Sequence, residues 1–183
     1  MLGKVIDMRN DLIHQFKQNY LKSKIVTKDI VIDATLGNGH DTFFLQSLGA
    51  IVHGFDIQEK AIFETKNRLD DLMNIHLHHE SFTHLLDYNL SFKGVIFNLG
   101  YLPNGDKTIT TLAKDTLDIV RRIINQMTPG QFIFITCYPG HSEGMKESEL
   151  LLSLIKTLPN DYLAFTYQIQ NRTNAPFNIV IEK

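Results

Sequence analysis

The amino-acid sequence predicts an α/β fold of stacked βαβ units around a mostly parallel sheet. Three observations predict it. Short β-branched or aromatic runs alternate with longer segments of helical periodicity along the chain. Glycine- and proline-bearing turns such as "TLGNGH" and "TPG" separate them. The last two strand-like runs are joined only by "NRTNAP", with no helical segment between, so they pair as an antiparallel hairpin at one edge of the sheet.

The elements follow in order. "MLGKVIDMRNDLIHQF" reads as an amphipathic helix opening a helical extension over 1–28, ahead of the strand and helix alternation of a single domain, 1–183. Strands are expected at "DIVIDAT" near residue 30, "IVHGF" at 51, "NIHLHH" at 74, "GVIFNL" at 94, "QFIFITCY" at 131, "YLAFTYQIQ" at 162 and "FNIVIEK" at 177. From Thr108 to Met127 the positions Ile109, Leu112, Ala113, Val120, Ile123, Ile124 and Met127 recur at three- and four-residue spacing, predicting a helix that "TPG" stops. A further helix starts near Ser142, puts Leu151, Leu154, Ile155 and Leu158 on one face, and ends before Pro159.

Composition narrows the function classes. The chain has 183 residues, 43% of them hydrophobic and 21% charged, and no window approaches the ~18 uninterrupted apolar residues of a membrane span. No apolar segment with a small-residue cleavage site stands at the start, and the single cysteine, Cys137, cannot form an internal disulfide; both favour a cytoplasmic protein. A net charge of −2 argues against indiscriminate binding along a polyanion, yet leaves room for a local site. Lys17, Lys22, Lys24 and Lys28 cluster in "KQNYLKSKIVTK", either as a basic patch or as ordinary solvated lysines.

The chemistry concentrates at three strand ends. A strand ending in Asp33, a turn carrying Gly37, Asn38 and Gly39, and a helix starting near Asp41 aim backbone N–H groups at whatever sits above the sheet. Without Cβ atoms the two glycines can adopt unusual dihedrals and approach a ligand closely. The turn lacks the third glycine of a dinucleotide fingerprint and the Lys-Ser/Thr of a phosphate loop, so a pyrophosphate or triphosphate is disfavoured. Asp56 ends the second strand about twenty residues on, where a carboxylate accepts ribose hydroxyls, or else caps the next helix. After the fourth strand, "FNLGYLPNGDKT" supplies Asn98, whose amide oxygen can accept an amine N–H, and Tyr101, whose ring can pack on a planar base; the rival reading is a plain "PNGD" turn. "CYPGHSEG" brings Tyr138 and His141 to the same edge, the latter as a possible proton acceptor or a surface group.

Other chemistries are set aside. In "HLHHESFTH" the residues His76, His78, His79 and His84 lie close together, but no Cys or well-placed carboxylate completes a tetrahedral set, so no metal is expected. There is no G-x-S-x-G elbow, and Cys137 has no activating partner in sequence.

"DATLGNGHDT", "FDIQ", "FNLGYLPNGDK", "YPGHSEG" and "NRTNAPFNIVIEK" together resemble the rRNA methylase family of class I S-adenosylmethionine-dependent methyltransferases. The resemblance extends over nearly the whole chain. It implies a Rossmann-like, seven-stranded, mostly parallel sheet with helices on both faces, S-adenosylmethionine as methyl donor (product S-adenosylhomocysteine), and no metal. One branch of that family methylates 5-aminomethyl-2-thiouridine at the tRNA wobble position, giving 5-methylaminomethyl-2-thiouridine. By this resemblance Asp33, Gly37, Asn38, Gly39 and Asp41 surround the methionine part of the cofactor, Asp56 and Gln58 its ribose and adenosine side, Ser81 the adenine, and Asn98 the methyl group. "NLGY" is similar to the Asn-Pro-Pro-Tyr motif of amino-methylating enzymes, with Leu99 and Gly100 in place of the two prolines. "NRTNAPF" carries Ala175 where the family's first proline would stand, between Asn174 and Phe177.

Methyl transfer to an amine requires a neutral lone pair, and Asp106, His141 or an ordered water can take the proton. The implied partner is a tRNA anticodon loop, single-stranded and accessible to stacking. Tyr101, Tyr138 and His141 are candidate base contacts, and Lys107 and Arg172 candidate phosphate contacts. Ribosomal RNA or a small-molecule amine is the rival acceptor, and a non-catalytic nucleoside- or RNA-binding module the rival class. A homodimer through the edge hairpin or opening helix is compatible with the sequence, and no membrane association is expected.

Overall fold

The computed structural model describes residues 8–69, 71–100 and 111–183. Seven strands are described: β1 (Ile30–Asp33), β2 (Ile51–Asp56), β3 (Ile75–His79), β4 (Gly94–Asn98), β5 (Phe132–Cys137), β6 (Leu163–Gln168) and β7 (Phe177–Glu182). They form one sheet in the order β3-β2-β1-β4-β5-β7-β6. β1 to β5 run parallel, whereas β7 is antiparallel to both β5 and β6. The expected sheet is therefore observed, edge hairpin included. The helices are α1 (Met8–Lys24), α2 (His40–Ser47), α3 (Glu59–Arg68), α4 (Ala113–Gln126) and α5 (Ser142–Ile155), with a 3-10 helix at Phe82–Tyr88.

Strand residues alternate between two apolar layers, because successive side chains of a pleated strand face opposite ways. In β5, Ile133, Ile135 and Cys137 join Ile119 and Ile123 of α4, while Phe132 and Phe134 join Tyr20 and Leu21 of α1 and Leu45 of α2. β4 divides the same way, Val95 and Phe97 against Ile96. Strands covered on both faces need continuous apolar runs, and that is how "GVIFN" and "FIFITC" read. Cys137 is buried, and burial pushes its thiol well above the usual range, which makes it an inert core residue.

The opening helix is an integral layer of the fold. Phe16 stacks on Tyr167 of β6 with ring centroids 4.2 Å apart, and Leu21 is fully buried. At the far edge of β7, Glu182 accepts the Tyr20 hydroxyl at 2.9 Å and pairs with Lys24 at 2.7 Å. The lysine cluster is thereby dispersed: Lys24 is engaged with Glu182, Lys22 lies over the Phe44 ring, and Lys17 turns inward to 4% exposure. A contiguous basic patch along "KQNYLKSKIVTK" is not formed, because helical spacing sends the three lysines of α1 to different neighbours, while Lys28 lies in the turn beyond the helix.

The helix predicted from Thr108 begins later, at Ala113; residues 108–110 lie outside the described residues. Leu112, expected on its apolar face, has extended dihedrals and is 53% exposed. The cause is local, since the Thr111 N–H donates to the Gly100 carbonyl at 3.1 Å and holds the chain extended just ahead of the helix.

β1 and β4 are neighbours in the sheet but not in sequence, so the chain leaves their carboxyl ends in opposite directions and opens a crevice between them. A cavity of about 900 Å³ lies there.

Candidate active site

The cavity floor is built from the β1 and β4 ends. Thr35 accepts the Asn98 N–H on its hydroxyl at 2.6 Å, and the Leu99 N–H donates to Thr136 O at 3.0 Å. These backbone bonds fix Asn98 without using its side chain. The amide oxygen of Asn98 is buried and accepts no hydrogen bond from any described residue. A buried acceptor in that condition is costly, of order 1–3 kcal/mol, unless a ligand or water donates to it.

The glycine turn is held from three sides. The Gly37 N–H donates to Asp56 Oδ2 at 3.0 Å, the Asn38 carbonyl accepts from Arg68 at 2.6 Å, and Gly39 N–H donates to Leu36 O at 2.9 Å. Gly37 and Gly39 both have positive φ, 53° and 73°. They serve different ends: Gly37 lines the cavity, whereas a Cβ on Gly39 would stand 2.6 Å from Thr65 Oγ1, on the α3 side. Gly39→Ala is therefore expected to lower stability by about 1–3 kcal/mol in denaturant titration. Unchanged stability would show that the turn tolerates a side chain.

Asp56 does not cap α3. The cap position is Gln58, and Asp56 Oδ1 accepts the Gln58 N–H at 2.8 Å, so this carboxylate ties the glycine turn to the start of α3 while facing the cavity. Burial raises its pKa, against the pull of those backbone donors. Gln58 and Ser81 also line the cavity, with the Ser81 hydroxyl accepting from Thr83 N–H to cap the 3-10 helix. Ile57 and Phe82 add apolar surface beside them.

Asp33 is placed differently from expectation. It is fully buried beneath the turn, off the cavity wall, where it accepts the Thr42 hydroxyl at 2.7 Å. Burial first, and the Asp41 carboxylate second, push it up to about 7. Asp41 lines the cavity, yet both its oxygens lie 2.7 Å from Lys17 Nζ. Its charge is thus matched from within the protein, at side-chain exposures of 5% and 9% for the pair.

At the opposite wall stand Tyr138 and His141. His141 caps α5, with Nδ1 accepting the Gly144 N–H at 3.1 Å. A neutral imidazole that accepts at Nδ1 carries its proton on Nε2, so the ring is set to donate from that atom, and a role as proton acceptor through Nε2 runs against this geometry. Arg172 is exposed in the β6–β7 turn and does not line the cavity, although Asn174 and Pro176 of the same turn do. Tyr101, Asp106 and Lys107 lie outside the described residues. Sequence reasoning missed His40, Thr35, Thr111 and Asp115 on the cavity wall, and Lys17 beneath it.

Among the described residues no group of three or more His, Cys, Asp or Glu is arranged to hold a metal ion. His53, His76 and His78 instead stack across β2 and β3, and burial, then the neighbouring His76 and His78, hold His53 down to about 4. No helix among the described residues is long and apolar enough to cross a membrane.

The family model described as "Putative rRNA methylase" matches residues 52–183. The chain belongs to this rRNA methylase family. A curated relative from Arabidopsis thaliana, "tRNA (mnm(5)s(2)U34)-methyltransferase, chloroplastic", is 33% identical over 173 residues, 85% of this chain. The chain spans 63% of that relative's length. Among solved structures, a "putative rRNA-methylase" from Clostridium thermocellum is 33% identical with a TM-score of 0.85, covering 93% of this chain and 97% of its own. A "putative methyltransferase" from Streptococcus mutans in complex with SAH is 31% identical with a TM-score of 0.82 and the same coverages. The rRNA methylase family thus carries the class I methyltransferase fold seen here.

Proposed function

We propose that this protein transfers a methyl group from S-adenosylmethionine to the amine of 5-aminomethyl-2-thiouridine at a tRNA wobble position. One observation carries the reading: the buried amide oxygen of Asn98 at the cavity floor, without a partner among the described residues and an acceptor suited to an amine N–H. The named activity of the Arabidopsis relative and the SAH bound in the Streptococcus mutans structure support it.

The cavity residues fit the donor. Gly37 and Asn38 would take its amino-acid portion, Asp56 its ribose, and Ile57, Ser81 and Phe82 its base. Asp41, neutralised by Lys17, would shape the methionine end rather than supply a free charge. When bound, the sulfonium supplies an electrophilic methyl group. Asn98 would then orient the amine lone pair in line, and such placement supplies most of the acceleration in a reaction of this type. Tyr138 and His141 line the acceptor side, where a single-stranded base can stack and be hydrogen-bonded. With Nδ1 accepting the Gly144 N–H, a neutral His141 would carry its proton on Nε2, so proton removal would fall to another group or an ordered water.

The test is direct. Purified protein, S-adenosylmethionine and an anticodon stem-loop bearing 5-aminomethyl-2-thiouridine are expected to give the methylated nucleoside by mass spectrometry. Methylation of ribosomal RNA alone would overturn the tRNA reading and favour the activity in the family's description. Failure to bind S-adenosylmethionine would overturn the enzyme reading.

A further inference from the structure

The segment Asn98-Leu99-Gly100 is not secured by the sheet alone. Gly100, at φ 127°, donates its N–H to the Thr111 hydroxyl at 3.0 Å, and its carbonyl accepts the Thr111 N–H at 3.1 Å. The Thr111 hydroxyl in turn donates to Glu147 Oε2 at 3.2 Å, and Glu147 Oε1 accepts the Thr116 hydroxyl. Glu147 lies on α5, is 2% exposed, and forms no ion pair with any described residue. A buried carboxylate without a cation is expensive, and a core position on an amphipathic helix would ordinarily take an apolar side chain.

The direction of the hydrogen bonds explains its presence. Burial raises the Glu147 pKa to about 7, against the pull of the Thr116 and Thr111 hydroxyls; in its ionised form the carboxylate only accepts, and both threonine hydroxyls then point their protons at it. That leaves a lone pair of Thr111 facing the Gly100 N–H. The chain Gly100 N–H to Thr111 to Glu147 fixes the backbone of a glycine, the residue type with the widest choice of conformations, two positions from Asn98. We propose that Glu147, acting through Thr111, is a positioning residue that sets the Asn98–Gly100 segment for methyl transfer. The inference rests on the function proposed above. Neither residue is required to touch the donor or the acceptor.

Thr111→Val keeps the shape and removes the hydroxyl, whereas Thr111→Ser keeps the hydroxyl. For Thr111→Val, kcat on the modified stem-loop is expected to fall ~10- to 100-fold while the Kd for S-adenosylhomocysteine stays within about threefold, as for a misplaced reacting group. Thr111→Ser should recover a rate within about threefold of the unmodified protein, and Glu147→Leu should reproduce the loss. The Gly100 amide should exchange with solvent faster in Thr111→Val and in Glu147→Leu, by NMR. This last measurement needs no turnover, so it tests the inference even if the protein methylates a different acceptor. Wild-type kcat in Thr111→Val, an equal loss in Thr111→Ser, or unchanged Gly100 exchange would each overturn the proposal. So would a weakening of S-adenosylhomocysteine binding in step with kcat.

Discussion

Asn98→Ala is expected to retain S-adenosylhomocysteine affinity and to lose methyl transfer by about 10²-fold or more. The two effects separate because the side chain and backbone of Asn98 do different things. Its N–H is held by the Thr35 hydroxyl, and the following N–H by Thr136 O, so the end of β4 keeps its course when the amide is removed. The amide oxygen accepts no hydrogen bond from any described residue, so truncation breaks no internal bond at that atom. Single-turnover kinetics beside calorimetric binding of S-adenosylhomocysteine would check this. A rate within about threefold of wild type would remove Asn98 from the mechanism, and a parallel loss of affinity would make it a donor-binding residue instead.

Lys17→Met is expected to cost about 3–5 kcal/mol of stability, the range for leaving one member of a buried ion pair uncompensated. Asp41 and the neighbouring Asp33 would then keep no ion-pair partner among the described residues, and Lys17 is one of the groups that hold the Asp33 carboxyl down. The sign follows from linkage. Asp33 has a folded pKa raised from 3.8 to about 7, so the stability of its acid form is complete below the unfolded value and is lost as pH rises through the folded one. Removing Lys17 raises the folded value further, so the deficit of the variant should widen as pH rises past about 7. Lys17→Met with Asp41→Leu should recover most of the loss, because apolar replacement of both partners removes the stranded charge. Denaturant titration of the three proteins at several pH values measures all of this. A Lys17→Met variant as stable as the wild type would show that the pair is dispensable.

How far the sequence discloses the molecule depends on whether a feature is periodic. The strands were legible because β-branched runs such as "GVIFN" and "FIFITC" are local signals bounded by turns. Gly37, Asp56 and Asn98 were legible because the carboxyl ends of parallel strands are where such sites sit. Thr111 was not, since it fell inside a helical pattern that its own hydrogen bonds to Gly100 cut short. Lys17 and Glu147 were hidden for a related reason: each is a charged residue on a helix, where the default expectation is solvent, and only contacts 24 and 31 residues away draw them inward. Gly39 is expected from the sequence to admit a ligand, and the structure adds a neighbour the sequence does not disclose, since a Cβ there would meet Thr65 of α3.

The clasp between α1 and β7 has a bearing on assembly. Glu182 is bonded by Tyr20 and Lys24 across 162 and 158 residues, and Asn178 donates to the Ile13 carbonyl across 165. On a ribosome α1 is made before β7, so the part of its docking surface that β7 supplies is added only after β7 has emerged. Lys17 rides on that helix. The counter-charge for the carboxylates under the glycine turn is thus carried on the same helix that clasps β7, which couples the ligand site to the antiparallel edge of the sheet.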